Sequence, residues 1–517
     1  MRKTLLILIL IFQISSLLFG QQNSVLSFGD WYKLGVSNDG IYKLSYNDLQ
    51  DLNIQLTDLD INSIKIYGNG GGMLPHLNSD FRDNDLEENA VFIYDYNNNG
   101  FFNSDDYILF YGESPHKWIY NTSTSLFDYK DHLYSDECYY FLTIDKSSSG
   151  KRISYKPQII NYTSIVNSFN DYKFHESNFE NLIESGRDWY GERFGIIDNQ
   201  TFSFNFPNLI FNHPINISTS VAARSLNSSF FTVNINSDFI SNINISNIVY
   251  DYATEYAKKA TNTDSYTSNL DQLDVELKYN YSENNAIGWL DRIELNARRS
   301  LRMNSGFLNF RDVESVGSSE VAKFEITNSN SSTSVWNVTD PKNIKMMNTN
   351  LNGSVLSFID SIYSLNHYCA FNNSFAKPNL LGKVENQNLH NINLDVNYVI
   401  VSHPSFLSEA NRLVEIHEYY DNLNSIVVTP QQIYNEFSSG MQDVVAIRDF
   451  LRMLYKRQNS KLEYTLLFGD GSYDNKNRIA NNTNFIPTFQ SKNSLSPVNS
   501  FVTDDFFALL DDDDGDL

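Results

Sequence analysis

The sequence contains only two cysteines, Cys138 and Cys369, in 517 residues. Two cysteines are too few for a disulfide framework of the kind that holds small secreted domains together. A single pairing between them stays open, as does the alternative that each is a buried small apolar side chain. Cys369 follows His367 by two positions, but no motif for an oxyanion hole or an orienting carboxylate surrounds the pair. We therefore expect no catalytic residue among them.

Positive charge is also scarce. The chain carries 38 lysines and arginines against 62 aspartates and glutamates, which gives a net charge of -24. Such an excess of carboxylates argues against nucleic acid or an anionic membrane surface as the main partner. Its simplest effect is to keep an exported protein soluble.

Long apolar runs are absent after the amino terminus. Residues 1–20 combine Arg2 and Lys3 with the run LLILILIF, which is too short for a transmembrane helix and is typical of a secretory signal peptide. No cysteine follows the expected cleavage site, so no lipid anchor is expected. The mature protein is predicted to be exported.

What the chain does have is apolar and aromatic content, 41% and 14%, enough for the cores of about three domains. Residues 25–150 are predicted to form a compact β domain. Within it, alternation at 31–36 and 41–44 around an Asn-Asp-Gly turn predicts a β-hairpin. A short helix is predicted at 46–52 and a further strand at 64–67.

Residues 95–106 have the spacing of a twelve-residue calcium loop. Asp95, Asn97 and Asn99 place oxygen atoms at positions 1, 3 and 5, while Gly100 occupies position 6 and Asp106 supplies a carboxylate at position 12. Calcium takes six to eight oxygen ligands, and the glycine permits the sharp turn that gathers them. The sequence thus predicts a calcium site, with an asparagine-rich surface turn as the alternative. No organic cofactor is expected.

Residues 165–385 are predicted to form a β-sandwich, because short strand patterns alternate with turns rich in asparagine and serine. The strand patterns lie at 201–206, 215–223, 230–235, 272–279, 293–297 and 322–326. The aromatic and charged segment 189–194 has two interpretations. It forms either an exposed contact patch or, as we favour, a strand packed against the next domain.

Residues 395–517 are predicted to begin an α/β domain. Apolar runs at 398–402, 425–428 and 464–468, separated by helical patterns, predict a parallel sheet covered by helices. Such sheets bind ligands at the carboxyl ends of their strands. The third run leads directly into Gly-Asp-Gly-Ser-Tyr-Asp, which predicts that Asp470 and Asp474 lie at the rim of an active site.

Three details of this domain are also predicted. The helical spacing of apolar residues in 405–421 includes Ile416 and Tyr420 on the covered side of the first helix. Thr429 and Gln432 have the spacing of a capping box at a helix start. A last apolar strand is predicted at 506–510, bracketed by aspartates; either a cation offsets these carboxylates or they form a solvated turn.

Several long motifs resemble gingipain-type cysteine peptidases, which have a caspase-like fold. They are HPSFLSEANRL, VVTPQQIYNEFSSG, DVVAIRDFLRMLY and LLFGDGSYDNKNR. Upstream, GDWYKLGVSNDGIYKLSY, IKIYGNGGGMLP, DYILFYGESPHKW, SGRDWYGERF and LDRIELNARRSLRM are similar to the amino-terminal region of the sortases of the type IX secretion system. The resemblance implies a multidomain chain in which a β domain and a β-sandwich precede the first half of an α/β caspase-like domain.

The resemblance also implies a function. Such an enzyme removes C-terminal sorting domains from secreted cargo proteins and attaches the cargo to lipopolysaccharide, together with other type IX secretion components at the outer membrane and cell surface. A thiolate forms an acyl-enzyme that an amine then captures. The family's catalytic histidine, in a His-Gly motif, and its cysteine follow the Gly-Asp-Gly-Ser segment.

This sequence contains no His-Gly pair and no histidine after His417. The catalytic pair is therefore expected beyond Leu517, and this chain by itself is expected to be inactive. The alternative, from another class of protein, is a non-catalytic secreted surface binding protein made of β domains.

Overall fold

The structure of the protein is a computed structural model that describes residues 23–317, 320–515 and 517. The predicted signal peptide, residues 1–20, lies outside the described residues. Strands make up most of the regular secondary structure in the described residues, and the three longest helices lie near the carboxyl end. No helix in the described part is both long and apolar enough to cross a membrane.

The elements fall into three groups along the chain. The first comprises β1 (Trp31–Val36), β2 (Gly40–Ser45), α1 (Tyr46–Asp51), β3 (Ile64–Tyr67), β4 (Glu88–Asn89), β5 (Phe92–Tyr94), β6 (Tyr107–Gly112), β7 (Lys117–Asn121), β8 (Leu126–Lys130) and β9 (Cys138–Ile144). The second comprises β10 (Ser154–Tyr155), β11 (Ser164–Val166), β12 (Ser168–Glu176), β13 (Arg193–Phe194), β14 (Asn199–Asn205), β15 (Ile215–Arg224), β16 (Ser229–Ile235), β17 (Asp238–Ile245), β18 (Lys258–Tyr266), β19 (Gln272–Asn280), β20 (Ile287–Ser300), β21 (Phe307–Phe310), β22 (Val321–Ile326), β23 (Ser334–Asn337), β24 (Lys345–Met346), β25 (Asn350–Asn352), β26 (Val355–Ser361), β27 (Tyr368–Phe371) and β28 (Asn379–Val384). The third comprises β29 (Tyr398–Ser402), α2 (Leu407–Asp421), β30 (Ser425–Val428), α3 (Pro430–Phe437), α4 (Val444–Lys456), β31 (Tyr464–Phe468), β32 (Phe489–Gln490) and β33 (Val502–Thr503).

The first unit is built from two sheets, with strand orders β28-β1-β9-β3-β4 and β2-β6-β5. The predicted hairpin of β1 and β2 is wrong, because the two strands lie in different sheets. Leu34 of β1 and Leu44 of β2 are both fully buried in the core between these sheets. The Asn-Asp-Gly turn therefore connects the two layers of a sandwich instead of two paired strands.

Residues 165–385 contain more than one sandwich. The sheets β12-β20-β15-β18 and β14-β19-β16-β17 share one core, which includes Phe231, Leu277 and Leu290. The sheets β10-β24-β23-β27-β21 and β11-β22-β26-β25 share a second core around Phe324 and Phe358. Strand β28 then returns to the first unit, where it pairs with β1 in antiparallel register. The predicted strand patterns are present, but long-range pairing distributes them over several layers.

The last unit has a parallel sheet of order β30-β29-β31, as the apolar runs predict. Helix α2 covers one face of the sheet through Ala410, Leu413 and Val414. Helices α3 and α4 cover the other face, with Ile433 and Phe450 fully buried. The predicted capping box is confirmed: Gln432 N donates to Thr429 Oγ1 at 3.3 Å, and Thr429 N donates to Gln432 Oε1 at 2.9 Å.

Two expectations for this unit are wrong in detail. The predicted strand at 506–510 is a 3₁₀ turn, Asp505–Ala508, in which the consecutive residues Phe506 and Phe507 are both buried. The N–H of Phe507 donates to the carbonyl of Asp504 at 3.0 Å and that of Leu509 to the carbonyl of Phe506 at 3.3 Å, so this segment bonds to itself as a 3₁₀ turn. In α2, Ile416 and Tyr420 were predicted to face the sheet but are exposed. The sheet covers only the side of the helix that carries Ala410, Leu413 and Val414.

Candidate active-site edge

The carboxyl ends of β29 and β31 meet at one edge of the parallel sheet. Ser402 pairs with Phe468, and the backbone N–H of His403 donates to the carbonyl of Phe468 at 3.3 Å. The chain then continues as His403 after β29 and as Gly469 and Asp470 after β31. The predicted edge therefore brings His403 and Asp470 into one region, as expected for a parallel sheet.

The glycines after β31 allow another segment to approach this edge closely. A Cβ atom on Gly469 would lie 2.8 Å from Cβ of Phe485, and a Cβ atom on Gly471 would lie 2.2 Å from Cγ2 of Thr488. The backbone N–H groups of Phe485 and Ile486 donate to the carbonyl of Asp470 at 2.9 and 3.2 Å. Larger residues at 469 and 471 would push this segment away.

The two predicted rim residues differ in their environments. Asp470 is exposed at the edge. Asp474 is fully buried, and its carboxylate accepts hydrogen bonds from the backbone of Ile479 at 2.7 Å and from Nη1 of Arg478 at 3.2 Å. The structure thus gives Asp474 an internal role in shaping the loop, whereas Asp470 keeps the exposed position that a rim residue needs.

Neither cysteine is placed for chemistry at this edge. Both thiols are free and buried. The Cys138 side chain contacts Met441 and the carbonyl of Gly70, and burial raises the pKa of its thiol. Burial also raises the pKa of Cys369 and holds the pKa of His367 well below its usual range. Substrate cannot reach a buried thiol, so neither cysteine contributes a nucleophile to this edge.

The predicted calcium loop is closed by its own backbone. The carboxylate of Asp95 accepts from the N–H groups of Asn99 and Gly100 at 3.2 and 2.8 Å. Asp106 is buried and accepts from the backbone of Tyr96 and Asn103 at 2.7 and 2.6 Å. These bonds gather the oxygens of Asp95 and Asp106 around one turn.

The two asparagines predicted as calcium ligands lie on the exposed side of this loop. Asn97 and Asn99 are exposed, and Asn99 Oδ1 accepts from the N–H of Phe101 at 2.9 Å. No group of three or more histidine, cysteine, aspartate or glutamate residues arranged for a metal occurs in the described residues. A calcium site here would thus depend on amide and backbone oxygens beside the two carboxylates, and it stays a prediction.

The loop after β31 also packs against the β-rich units. The ring of Tyr473 stacks on Trp189, with ring centroids 5.8 Å apart, and the guanidinium of Arg478 lies 4.7 Å from the centre of the Trp189 ring. Lys476 forms ion pairs with Asp136 at 2.8 Å and Asp131 at 3.5 Å. Trp189 packs against the next unit, as the favoured interpretation of segment 189–194 expects, but the predicted strand is confined to Arg193–Phe194, which pair with β20.

A cavity of about 470 Å³ lies at this junction. It is lined by both units, through Glu176, Arg187 and Asp291 on one side and Asn475 and Gln490 on the other. Burial, aided by the charges of Asp131 and Asp291, raises the pKa of Glu176 to about 8. No sequence pattern signalled this residue, because its environment comes from strands far apart in the chain.

With this geometry established, comparison with known proteins identifies the last unit. Residues 391–517 match peptidase family C25. The C25 segment thus begins just before β29 and includes the whole parallel sheet, its edge and the loop that follows. This match confirms the gingipain-type resemblance of the segment.

The fold of nearly the whole chain also has a known counterpart. A crystal structure of dimeric latent PorU from Porphyromonas gingivalis matches with a TM-score of 0.80 and 24% identity, covering 95% of this chain and 46% of that chain. The match establishes a PorU-like fold for the β-rich units together with the C25 segment. This chain spans less than half the length of that protein.

Other comparisons add little. A family 36 carbohydrate-binding module in complex with calcium and xylotriose matches with a TM-score of 0.17 and 14% identity, over 24% of this chain and 98% of that one. A second such domain, from a xylanase of the Trinervitermes trinervoides hindgut metagenome, has a TM-score of 0.16 and 8% identity, over 24% and 96%. These scores are too low to support an argument. No curated protein sequence matches the chain.

Proposed function

We propose that this chain is the amino-terminal part of a cell-surface cysteine endopeptidase and sortase of the type IX secretion system. In this proposal the enzyme removes C-terminal sorting domains from secreted cargo proteins and attaches the cargo to lipopolysaccharide at the outer membrane. The observation that carries the proposal is the C25 segment, whose strand edge at His403 and Asp470 is continuous with a PorU-like arrangement of β-rich units.

The proposed chemistry has two steps. A cysteine thiolate attacks the carbonyl at the cleavage site and expels the sorting domain as an amine, which leaves a thioester; an acceptor amine then displaces the thiolate and forms a new amide bond. Cys138 and Cys369 are buried, so in this proposal the thiolate comes from outside residues 23–517, and its base does too, as the family resemblance implies. The contribution of this chain is the edge at which the reacting groups meet.

Deletion of the gene in its own bacterium tests this proposal. We expect cargo proteins to accumulate with their sorting domains still attached and without lipopolysaccharide, both visible as mass shifts on immunoblots. Complementation with the complete gene should restore processing, and complementation with Asp470→Ala should restore it less well than Asp395→Ala, a change at an exposed aspartate away from the edge. Normal cargo processing in the deletion strain would contradict the proposal and favour a surface binding protein.

A further inference from the structure

A second cavity, of about 450 Å³, lies between the first sheet and the start of helix α3. Strands β1, β9 and β28 form one side, and the first turns of α3 form the other. Its lining includes Lys33, Tyr139, Asn386, Gln431 and Asn435, with Glu385 as the one acidic residue, and no residue of the loop after β31 contributes to it. Its volume lies in the range of small-molecule binding sites, which is roughly 300–1,000 Å³.

The floor of this cavity carries a positive charge that only neutral groups contact. Lys33 Nζ donates to the carbonyl of Gly440 at 3.0 Å and to Oδ1 of Asn435 at 3.4 Å, and it lies 3.9 Å from the centre of the Tyr139 ring. In the part of the chain that the structure describes, no carboxylate forms an ion pair with this ammonium. A charged group that is withdrawn from water is normally paired with a group of opposite charge. Lys33 has no such partner among the described residues, and an anion in the cavity would supply one.

The pKa of Lys33 reflects this imbalance. Burial lowers it to about 7, and the more distant carboxylate of Glu137 only partly opposes the effect. An anion in the cavity would favour the charged ammonium and raise this pKa. The neighbouring lysine offers a comparison, because Lys383 lines the same cavity but already pairs with Asp30 at 2.6 Å.

The opposite wall adds to the positive potential. Helix α3 begins at Pro430 with Thr429 as its N-cap, and Thr429, Gln431 and Gln432 all line the cavity. The amino-terminal end of a helix carries partial positive charge, which favours an anion. Pro430 has no N–H, and the capping box takes up those of Thr429 and Gln432, so the backbone N–H of Gln431 is the donor that this turn offers to a ligand. Lys33 on the floor and the first turn of α3 on the wall therefore act on the same space.

We propose that this cavity binds a small organic anion through a single carboxylate or phosphate group held between Lys33 and the first turn of α3. This site is separate from the candidate active-site edge and does not depend on the proposed function. Asn386 Nδ2 already donates to the carbonyls of Leu26 and Gly29, so the amide oxygens of Asn386 and Gln431 are the lining groups that suit a polar ligand body. Inorganic phosphate and acetate are the simplest probes, because they separate the two kinds of anionic group.

The direct test follows the Lys33 amine by NMR. Reductive methylation with ¹³C-formaldehyde places two labelled methyl groups on each lysine of the folded chain, and the Lys33 signal is assigned by its loss in Lys33→Arg. We expect phosphate or acetate to shift the Lys33 signal in a saturable way and to raise the pH midpoint of its titration, while the Lys383 signal changes little. A Lys33 signal that neither probe moves would overturn the proposal.

Calorimetry with variants provides the second measurement. We expect Lys33→Met to weaken binding of the effective probe by about tenfold or more, because a charge-assisted hydrogen bond is lost. Lys383→Met should bind as the unchanged chain does. If Lys33→Met fails to fold, Lys33→Arg supplies the comparison, since it keeps the charge and should keep binding. If Lys33→Met and Lys383→Met lose the same amount of affinity for the probe, the probe is attracted by surface charge in general, and the proposed site is contradicted.

Discussion

Arg82 and Asp449 join the first unit to the C25 segment. Nη1 of Arg82 donates to both carboxylate oxygens of Asp449, at 2.8 and 2.9 Å, and the two side chains are only 11% and 9% exposed. Arg448, the preceding residue of α4, is fully buried and donates to the backbone carbonyls of His76 and Gly515. The charged side of α4 therefore contacts protein, although its sequence pattern indicates a side facing away from the core.

The first prediction concerns this ion pair. We expect Arg82→Ala to lower the free energy of unfolding of the C25 segment by about 3 kcal/mol, because it leaves a buried carboxylate without its partner. Urea unfolding, with hydrogen exchange of residues 443–456 as the local measurement, checks this value. Arg412→Ala is the matched control: Arg412 pairs with Glu409 on the surface, and its loss should change stability by less than about 1 kcal/mol. Equal effects of the two changes would contradict the prediction.

The second prediction concerns pH and Asp443, which joins the start of α4 to the first unit. Its carboxylate accepts from the N–H of Val445 at 2.9 Å and from the N–H of Leu74 at 3.0 Å. Burial raises the pKa of Asp443 from 3.8 to about 7. The folded chain therefore binds this proton more tightly than the unfolded chain does. The contribution of Asp443 to the free energy of unfolding is fully present below pH 3.8 and is lost as the pH rises to about 7.

Replacement of Asp443 by asparagine should remove this dependence. Each unit of pKa difference corresponds to about 1.4 kcal/mol, so the fall in stability between about pH 5 and pH 8 should be smaller by more than about 1 kcal/mol in Asp443→Asn. Urea unfolding at both pH values measures the difference. Asp395→Asn, at an exposed position, should keep the pH dependence of the unchanged chain. An unchanged slope in Asp443→Asn would exclude Asp443 as its source.

The third prediction is that the loop of Asp95, Asn97, Asn99 and Asp106 binds calcium. Calorimetry of the whole chain should show heat of binding with a Kd of about 10⁻⁴–10⁻³ M, as in extracellular calcium modules. The whole chain is needed because β28 completes the sheet of the first unit. Asp95→Ala should abolish this heat and Asp105→Ala, at the exposed neighbour of Asp106, should not. If the unchanged chain shows no calcium-dependent heat, the prediction is contradicted, and residues 95–106 are an asparagine-rich surface turn.

The fourth prediction is that the chain by itself has no peptidase or transpeptidase activity. Both thiols are buried, and burial raises the pKa of each, so neither offers an accessible thiolate. We expect no cleavage of cargo bearing its sorting domain and no labelling by a thiol-directed probe in the folded state. The urea-unfolded chain should label at both cysteines, which confirms that the probe works. Turnover that is lost in Cys369→Ala or Cys138→Ala would show that a catalytic thiol lies in this chain.

The sequence by itself determined the elements whose signals are local. The strands at 398–402, 425–428 and 464–468 and the capping box at Thr429 follow from apolar runs and cap residues that lie within a few positions of one another. The strand patterns of 201–326 were readable for the same reason. The position of the Asp470 edge followed from the end of the third apolar run, and the long motifs of the C25 segment carried the family resemblance.

Only the tertiary structure decided which of these elements meet. The separation of β1 from β2, the return of β28 to β1 and the burial of Arg448 and Asp449 depend on partners hundreds of residues away, and no local period records such pairings. The environments of Glu176 and Lys33 arise in the same way, because burial and nearby charges set a pKa and both come from distant segments. Sequence periodicity shows which side of an element is apolar, but the surface that covers its polar side is set by packing.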